Sequence, residues 1–368
     1  MAWYDSNWDY RVKVTVASAE VDADLTDFPV YVDLSDLPAG FFSHVKSDGG
    51  DIRVTKTDGT TEVPREVVAI STGSSTGELH FKASGTLSSS SDTDFYIYYG
   101  NSGASEPATT ATYGRDNVWS DYAAVYHMNE DPSGSSPQMV DSTGNGYDGT
   151  SAGFMTSGDL ITGQVGKGLD MDGSNDEINI GTTPHFSNAT AMTWSLWANS
   201  PTGVRSFIAK GTNSSPFEGI NMFVNSGRFI MSLVPSTGTG GQIYRQSATT
   251  AYSDSAVRFY AATYAGDNAA SSINLYANGA NVDGSAVGTW SGSQVTTRNL
   301  KIGERDGGIN FLGLEDEIRL RFSVLTSTWI STEYSNQNAP SSFYTAGSEE
   351  SNPSASTEHP AIFFGFNF

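Results

Sequence analysis

The sequence predicts an all-β protein made of two antiparallel β-sandwiches. Short segments alternate between apolar and polar residues, as in 11–16 (RVKVTV), and this period of two is typical of strands with one buried face. Clusters of Gly, Ser, Asp and Asn, such as 47–50 and 57–60, separate these segments and favour hairpin turns. No window shows an apolar period of 3.6 residues over three turns, which argues against long amphipathic helices.

The first predicted sandwich covers residues 1–105. Its clearest strands are 11–16, 28–34 and 94–99. A stretch of small and polar residues follows, and this composition is typical of a connection between domains. We therefore place a linker over 106–117.

The second predicted sandwich covers residues 118–346. Its clearest predicted strands are 192–197, 207–210, 221–224, 228–234, 259–264, 273–276, 300–302 and 317–322. At least eight strands in ~230 residues fit one jelly roll. Trp194 and Trp197 are three positions apart, so we expect one of them in the core and the other on the sheet surface.

The last predicted segment, 347–368, is a flexible spacer followed by an aromatic tail. Its first part is rich in Ser, Glu and Pro. Its end contains four phenylalanines: Phe363, Phe364, Phe366 and Phe368. The tail either folds back on its own domain or docks on a partner as an added strand or in a groove. We favour docking, because an aromatic segment behind a flexible spacer serves neither the folding nor the solubility of the preceding domain.

Composition excludes several classes of partner and site. The chain has 19 Lys+Arg and 41 Asp+Glu and a net charge of −22, so we expect no binding to nucleic acid or to acidic lipid. Without cysteine there are no disulfides, thiol nucleophiles or zinc–thiolate sites. No apolar run is long enough for a membrane span, and no signal peptide is visible. A role outside the cell would then need another route of exit, such as lysis of a host that has built virus particles.

The first ~100 residues resemble the DUF2341 family, a β-sandwich module of unassigned function. The resemblance rests on four separated segments in family order: 8–11 (WDYR), 25–30 (LTDFPV), 48–53 (DGGDIR) and 96–101 (YIYYGN).

The second region resembles the LamG-type, or concanavalin A-like, jelly rolls. Six segments in family order carry this resemblance: 124–130 (AVYHMNE), 141–149 (DSTGNGYDG), 168–173 (GLDMDG), 192–197 (MTWSLW), 275–279 (LYANG) and 313–320 (GLEDEIRL). The resemblance implies a jelly-roll fold and often glycan or protein binding, with catalysis in some members. The pairing of the two modules is similar to that in surface proteins and virus-borne proteins.

Calcium is the one cofactor that the sequence suggests. Asp141, Asn145 and Asp148 share a Gly-rich loop, and oxygen-rich loops suit calcium. The jelly-roll resemblance implies one calcium ion between the first strand and the penultimate motif, with Asn129, Asp141 and Asp316 as ligands. The alternative is that these side chains cap turns and accept hydrogen bonds from loop amides.

We expect no catalytic residues. The Glu-x-Asp-x-x-Glu pattern of glycosidases with this fold is missing. The carboxylates of 315–317 are contiguous, so neighbours should point to opposite faces of a strand. The five histidines are scattered along the chain, and we expect His127 to be a hydrogen-bonded core residue.

Four aromatic residues in or beside turn-rich stretches are candidates for glycan binding: Tyr147, Tyr244, Tyr252 and Trp290. Aromatic faces stack on the C–H faces of sugars, and amide or carboxylate groups bind the hydroxyls. The alternative for each is ordinary packing in the sandwich.

These observations predict a non-enzymatic structural or adhesion protein of a virion, such as a fibre, spike or decoration protein of a tailed phage. Its expected partners are a surface glycan or receptor and, through 361–368, other virion or assembly proteins. Homo-oligomer formation is compatible with this role. One alternative is a glycan-binding adhesin, extracellular or on a microbial cell surface, and another is a divergent glycan hydrolase.

Overall fold

The computed structural model describes residues 2–199, 202–215, 217–236, 241–292 and 297–353. Antiparallel strands dominate it, which confirms the all-β prediction. The strands before residue 100 are β1 Tyr10–Val16, β2 Leu25–Thr26, β3 Pro29–Asp33, β4 Arg53–Lys56, β5 Glu62–Val63, β6 Arg65–Ser71, β7 Thr76–Lys82, β8 Thr86–Leu87 and β9 Thr93–Tyr99.

The remaining strands follow residue 100. They are β10 Ala124–Tyr126, β11 Thr150–Ala152, β12 Leu160–Thr162, β13 Lys167–Asp172, β14 Glu177–Gly181, β15 Met192–Asn199, β16 Arg205–Thr212, β17 Glu218–Asn225, β18 Arg228–Val234, β19 Ile243–Ser247, β20 Val257–Tyr264, β21 Asn274–Ala277, β22 Ala280–Asn281, β23 Asp283–Val287, β24 Leu300–Ile302, β25 Glu304–Arg305, β26 Ile309–Asn310, β27 Leu312–Arg321 and β28 Tyr344–Ser351. The α-helices are α1 Phe41–His44, α2 Arg115–Val118, α3 Ser327–Asn338 and α4 Pro340–Phe343. In the described ranges, no helix is long and apolar enough to cross a membrane.

The first sandwich packs a five-stranded sheet, in the order β28-β1-β9-β4-β5, against the three strands β3-β7-β6. Its core takes one side chain in two from each strand, such as Val12 and Val14 of β1 and Leu79 and Phe81 of β7. The alternation of apolar and polar residues in the sequence therefore reflects the burial of one face of these strands.

The edge strand of the five-stranded sheet comes from the other end of the described chain. β28 pairs antiparallel with β1, from Tyr10 opposite Ser351 to Val16 opposite Tyr344. Residues 347–351 therefore form a strand and not the beginning of the predicted spacer. Their polar side chains suit an edge that faces water on one side, and Glu350 forms an ion pair of 2.7 Å with Arg11. The predicted docking residues Phe363, Phe364, Phe366 and Phe368 lie outside the described residues.

The second sandwich is a jelly roll of two eight-stranded sheets. The front sheet has the order β12-β13-β27-β15-β20-β21-β22, with β10 beside β27. The back sheet has the order β11-β14-β24-β16-β17-β18-β19-β23. Apolar side chains from the inner faces fill the space between them, including Trp194 and Leu196 of the front sheet and Phe207 and Met222 of the back sheet.

The outer face of the front sheet is covered by the first sandwich and by α3. Trp197 points to this outer face, as expected from its spacing to Trp194, but it is 2% exposed and belongs to the core of the first sandwich. Its indole nitrogen donates a hydrogen bond of 2.6 Å to Gln337 of α3. Asn336 of the same helix bonds to both the amide and the carbonyl of Tyr31 in β3. The core of the first sandwich therefore extends onto the outer face of the front sheet.

Candidate functional site

A groove of about 380 Å³ crosses the outer face of the back sheet. The strands β17, β18 and β19 lie side by side, and the residues that alternate with the core residues point outward. The described residues that line the groove are Asn213, Phe217, Phe223, Asn225, Ile230, Ser232, Val234, Gln242, Tyr244, Gln246 and Arg305. This surface combines aromatic rings with a high density of side-chain amides.

The groove offers hydrogen-bonding groups and ring faces, and Arg305 is the one cation among its described lining residues. Arg305 donates a hydrogen bond of 2.9 Å to the carbonyl of Thr212, and its Nε atom has no partner in the described chain. Burial lowers the pKa of Arg305 to about 10. Phe217 is 36% exposed at the mouth of the groove. No carboxylate is among the described lining residues, so the groove has polar contacts to offer but no acid or base pair.

The structure separates the four aromatic residues that the sequence suggested for glycan binding. Tyr244 lines the groove. Tyr252 is 6% exposed and packs its ring against Phe229 and Tyr260 in the core. Tyr147 and Trp290 are partly buried against the same core.

The sequence reasoning missed Phe217, Phe223 and Arg305. The signal for Phe223 was present, because the segment 218–225 (EGINMFVN) alternates apolar core residues with Asn and Phe on the other face. Arg305 reaches the groove from β25, which neighbours β16 only in the folded sheet. No local pattern connects it to residue 223.

The predicted calcium ligands are bonded within separate loops. The Asp141 carboxylate accepts hydrogen bonds from the amides of Val125, Thr143 and Tyr147 at 3.0–3.1 Å, which is the turn-capping alternative. Burial outweighs these bonds and raises the pKa of Asp141.

Asp316 instead accepts from the amides of Gln164 and Val165 at 2.8 and 2.9 Å. Asn129 donates a hydrogen bond to Val68 at 3.5 Å. No contact among these three side chains is seen within the described chain, and calcium binding by them stays a prediction.

A cluster of buried charged residues lies where the two sandwiches meet. It contains Glu66 of β6, Glu78 and His80 of β7, His127 directly after β10, and Glu317 and Arg319 of β27. We call these six residues the Glu–His cluster. Each is less than 10% exposed, and His127 is buried as the sequence predicted.

Strand register brings the members of the Glu–His cluster together. Glu78 and His80 are two positions apart, so they share a face of β7. β10 pairs with β27 so that Tyr126 is opposite Ile318, which places His127 beside Glu317.

Residues 315–317 were expected to point alternately to opposite faces of a strand, and a β-bulge in β27 shows that this expectation is wrong for Asp316 and Glu317. β15 pairs Ser195 with Arg319 but Trp197 with Asp316, so β27 has one extra residue between these pairs. Glu317 accordingly has a positive φ of 50°. Asp316 and Glu317 therefore do not alternate between faces as neighbours on a regular strand would, and both enter the region beneath the first sandwich.

Hydrogen bonds and ion pairs link the Glu–His cluster. His127 Nδ1 contacts Glu317 Oε1 closely, and His127 Nε2 lies 3.2 Å from Glu66 Oε2. His80 Nε2 lies 2.9 Å from Glu78 Oε1. The guanidinium of Arg319 donates two hydrogen bonds to Glu317 Oε2, at 2.7 and 3.0 Å.

Burial and mutual charge shift the protonation of the cluster in opposite directions. Burial raises the pKa of Glu78 and lowers the pKa of His80. Burial disfavours the charged form of His127 too, but Glu317 and Glu66 outweigh it and raise the pKa of this imidazole. Burial also opposes ionisation of Glu317, yet His127 and Arg319 hold its pKa below the usual range. These shifts favour the ionised form of Glu317, which lies between His127 and Arg319.

Two cavities reach the Glu–His cluster from different sides. One of about 520 Å³ is lined by Glu78, and one of about 330 Å³ is lined by Glu66 and His127. Asn129 lines both of them. Gly166 closes over the cluster, since a Cβ atom there would lie 2.3 Å from Glu78 Oε2.

The solved structures that this chain resembles are similar to it at low sequence identity and with TM-scores below 0.5. The binding domain of Paraclostridial Mosquitocidal Protein 1 has a TM-score of 0.44 and 13% identity, over 58% of this chain and 52% of that one. Domain 4 of an extracellular arabinanase of Geobacillus stearothermophilus, in complex with arabinotriose, has a TM-score of 0.43 and 20% identity, over 58% of this chain and 98% of that one. The receptor-binding domain of botulinum neurotoxin C/D mosaic serotype has a TM-score of 0.42 and 13% identity, over 59% and 52%.

The chain spans about half of the length of the two toxin domains, at 52% of each. Among curated proteins, none matches this chain in sequence. The resemblance of the first ~100 residues to the DUF2341 family stays a prediction. Residues 172–331 match the concanavalin A-like lectin/glucanases superfamily, and the jelly roll of this protein is therefore a concanavalin A-like domain.

Proposed function

We propose that this protein is a non-enzymatic adhesion protein that binds surface glycans in the groove on its back sheet. The observation that carries the proposal is the lining of that groove, where Tyr244 and Phe223 lie among the amides of Asn225 and Gln246. Aromatic faces bind the C–H faces of sugar rings, and amides both donate to and accept from hydroxyl groups.

The composition of the groove favours binding over hydrolysis. Glycoside hydrolysis uses two carboxyl groups about 5–10 Å apart. The described part of the groove is lined by amides, a hydroxyl, rings and Arg305, with no Asp or Glu. The match of residues 172–331 to a superfamily named for lectins and glucanases agrees with a glycan ligand.

Glycan binding is tested with the full chain on a glycan array, followed by calorimetric titration of the best ligand. Tyr244→Ala and Phe223→Ala should each weaken binding about tenfold, since a stacked ring contributes up to about 1.4 kcal/mol. Tyr113→Ala is the matched control, because Tyr113 is an exposed ring outside the groove. Binding that survives the double substitution, or no binding across the array, would refute the proposal.

The finer part of the proposal is that the adhesin belongs to a virion and docks through residues 361–368. An acidic chain without cysteine and an aromatic segment behind a polar spacer support it. Replacing Phe363, Phe364, Phe366 and Phe368 by Ser should leave the melting temperature unchanged and abolish incorporation into particles, whereas Asn367→Ser should have no effect. Incorporation of the fourfold variant at the wild-type level would contradict the docking role. Capsid and tail genes beside its gene favour a virion, and envelope or export genes favour a cell-surface adhesin.

A further inference from the structure

We propose that Glu78, His80, His127 and Glu317 bind one divalent transition-metal ion, of the class of Zn²⁺, that ties the first sandwich to the jelly roll. Each sandwich contributes two ligands. Glu78 and His80 lie on β7 of the first sandwich, whereas His127, directly after β10, and Glu317 of β27 belong to the jelly roll. The inference is independent of the glycan groove, which lies on the other sheet.

The spacing of the ligand atoms fits a metal ion. One atom from each of the four residues lies within 4.8 Å of all the others. A tetrahedral site with bonds of about 2.0–2.1 Å separates its ligand atoms by about 3.3 Å. The distances from His80 Nε2 to Glu78 Oε1, from His127 Nδ1 to Glu78 Oε1 and from His80 Nε2 to Glu317 Oε1 are 2.9, 3.5 and 4.0 Å, which span this value.

The neighbours of His127 and Glu317 orient these two ligands as metal sites require. A proton on His127 Nε2 can bond to Glu66 Oε2 at 3.2 Å, which leaves Nδ1 free to coordinate. Glu66 is held in turn by the indole of Trp119 and the hydroxyl of Ser142. The second oxygen of Glu317 is fixed by Arg319, so its first oxygen points at His127.

The buried charge of the cluster also points to a cation. The carboxylates of Glu66, Glu78 and Glu317 are all buried, and Arg319 is the one permanently charged cation in the cluster. Burying unbalanced carboxylates is costly, and a divalent ion offsets them.

The number of protein ligands, four, indicates a structural site and not a catalytic one. Four protein ligands close a tetrahedral shell, whereas catalytic zinc keeps one position for water. Imidazole ligands favour Zn²⁺, Fe²⁺ or Ni²⁺ over calcium, which takes oxygen ligands. The cavities lined by Glu78 and by His127 give an ion a route to the cluster.

Metal binding is tested on the full chain after removal of metals with EDTA. Titration with Zn²⁺ should show one equivalent bound per chain and an increase in melting temperature, and Co²⁺ should give the visible absorption of a four-coordinate site. The wild-type chain decides this question even where a variant does not fold. The absence of stoichiometric binding of Zn²⁺, Co²⁺ and Mn²⁺ would overturn the proposal.

Substitutions then locate the ion. His80→Ala and Glu317→Gln should each abolish stoichiometric binding. Glu66→Gln, which changes the hydrogen-bond partner of His127 Nε2 and leaves the four proposed ligands in place, should weaken it about 10–100-fold. His185→Ala is the matched control, because His185 is exposed and outside the cluster. Undiminished binding in folded His80→Ala or Glu317→Gln would place the ion elsewhere and refute the assignment.

Discussion

The two outer faces of the jelly roll differ in what lies against them. The front sheet presents Trp197, Glu317 and Arg319 to the first sandwich, and all three are at most 2% exposed. The back sheet presents Phe223 and Tyr244 to an open groove, and both are partly exposed. Both faces carry polar side chains in alternation with core residues, so the sequence pattern of the two sheets is similar.

This difference shows how one fold serves two purposes. Where the polar face is covered, charged groups have to be matched within the protein, and Arg319 joins Glu317 and Glu333 in a buried set. Where the polar face is open, rings and amides remain accessible to a ligand. The covered face therefore contributes to stability and joins the two sandwiches, and the open face is the one on which the proposed glycan binding depends.

The largest expected effect is on the covered face. Arg319→Ala leaves Glu317 and Glu333 buried without their common cation, and we expect a loss of about 3–5 kcal/mol in the free energy of unfolding. Arg258→Ala is the control, because its partner Asp254 is largely exposed and such a pair contributes about 1 kcal/mol or less. Urea denaturation of both variants measures the difference. Equal losses would mean that the buried charges are no more important than surface charges.

The alternation of residue types predicted the all-β fold, because each strand buries one face, and the resemblance of six segments implied the concanavalin A-like jelly roll. It did not predict β28, since pairing Tyr10 with Ser351 depends on the return of the chain to its first sheet. The polar composition of 347–351 is equally compatible with an edge strand and with a spacer. A single sequence does not distinguish the two.

The Glu–His cluster could not be predicted for a related reason. Residues 78, 80, 127 and 317 are far apart in sequence, and only the Glu-x-His pair in β7 is a local signal. The bulge that turns Glu317 toward His127 depends on the pairing of β27 with β15. Of the described residues that line the groove, the sequence predicted only Tyr244. The others come from strands whose order in the sheet is not apparent from the sequence.

A smaller effect is expected for a buried cation of the back sheet. Lys210 is fully buried, and its ammonium donates to backbone carbonyls, including that of Arg298 at 2.8 Å. Burial lowers its pKa to about 8 from 10.5. The unfolded chain then binds more protons than the folded chain between these values, so stability rises as the pH increases from about 8 to 10.5 and is lost as it falls through 8.

The contribution of Lys210 to this pH dependence is on the order of 2–3 kcal/mol. Lys210→Met should remove that part of the rise, as measured by urea denaturation at several pH values and compared with wild type. Lys167→Gln, at an exposed position, should follow the wild-type curve. A Lys210→Met curve parallel to that of wild type would show that Lys210 titrates normally in the folded protein.

The smallest expected effect is on the open groove. Tyr244→Ala and Phe223→Ala remove partly exposed rings from the outer face of the back sheet, so each should change the free energy of unfolding by about 1 kcal/mol or less. The same urea denaturation measures it, with Arg319→Ala as the reference for the covered face. A loss comparable to that of Arg319→Ala would mean that the groove rings hold the sheet together. A small loss in stability combined with a tenfold loss in glycan affinity would instead separate recognition on the open face from stability on the covered one.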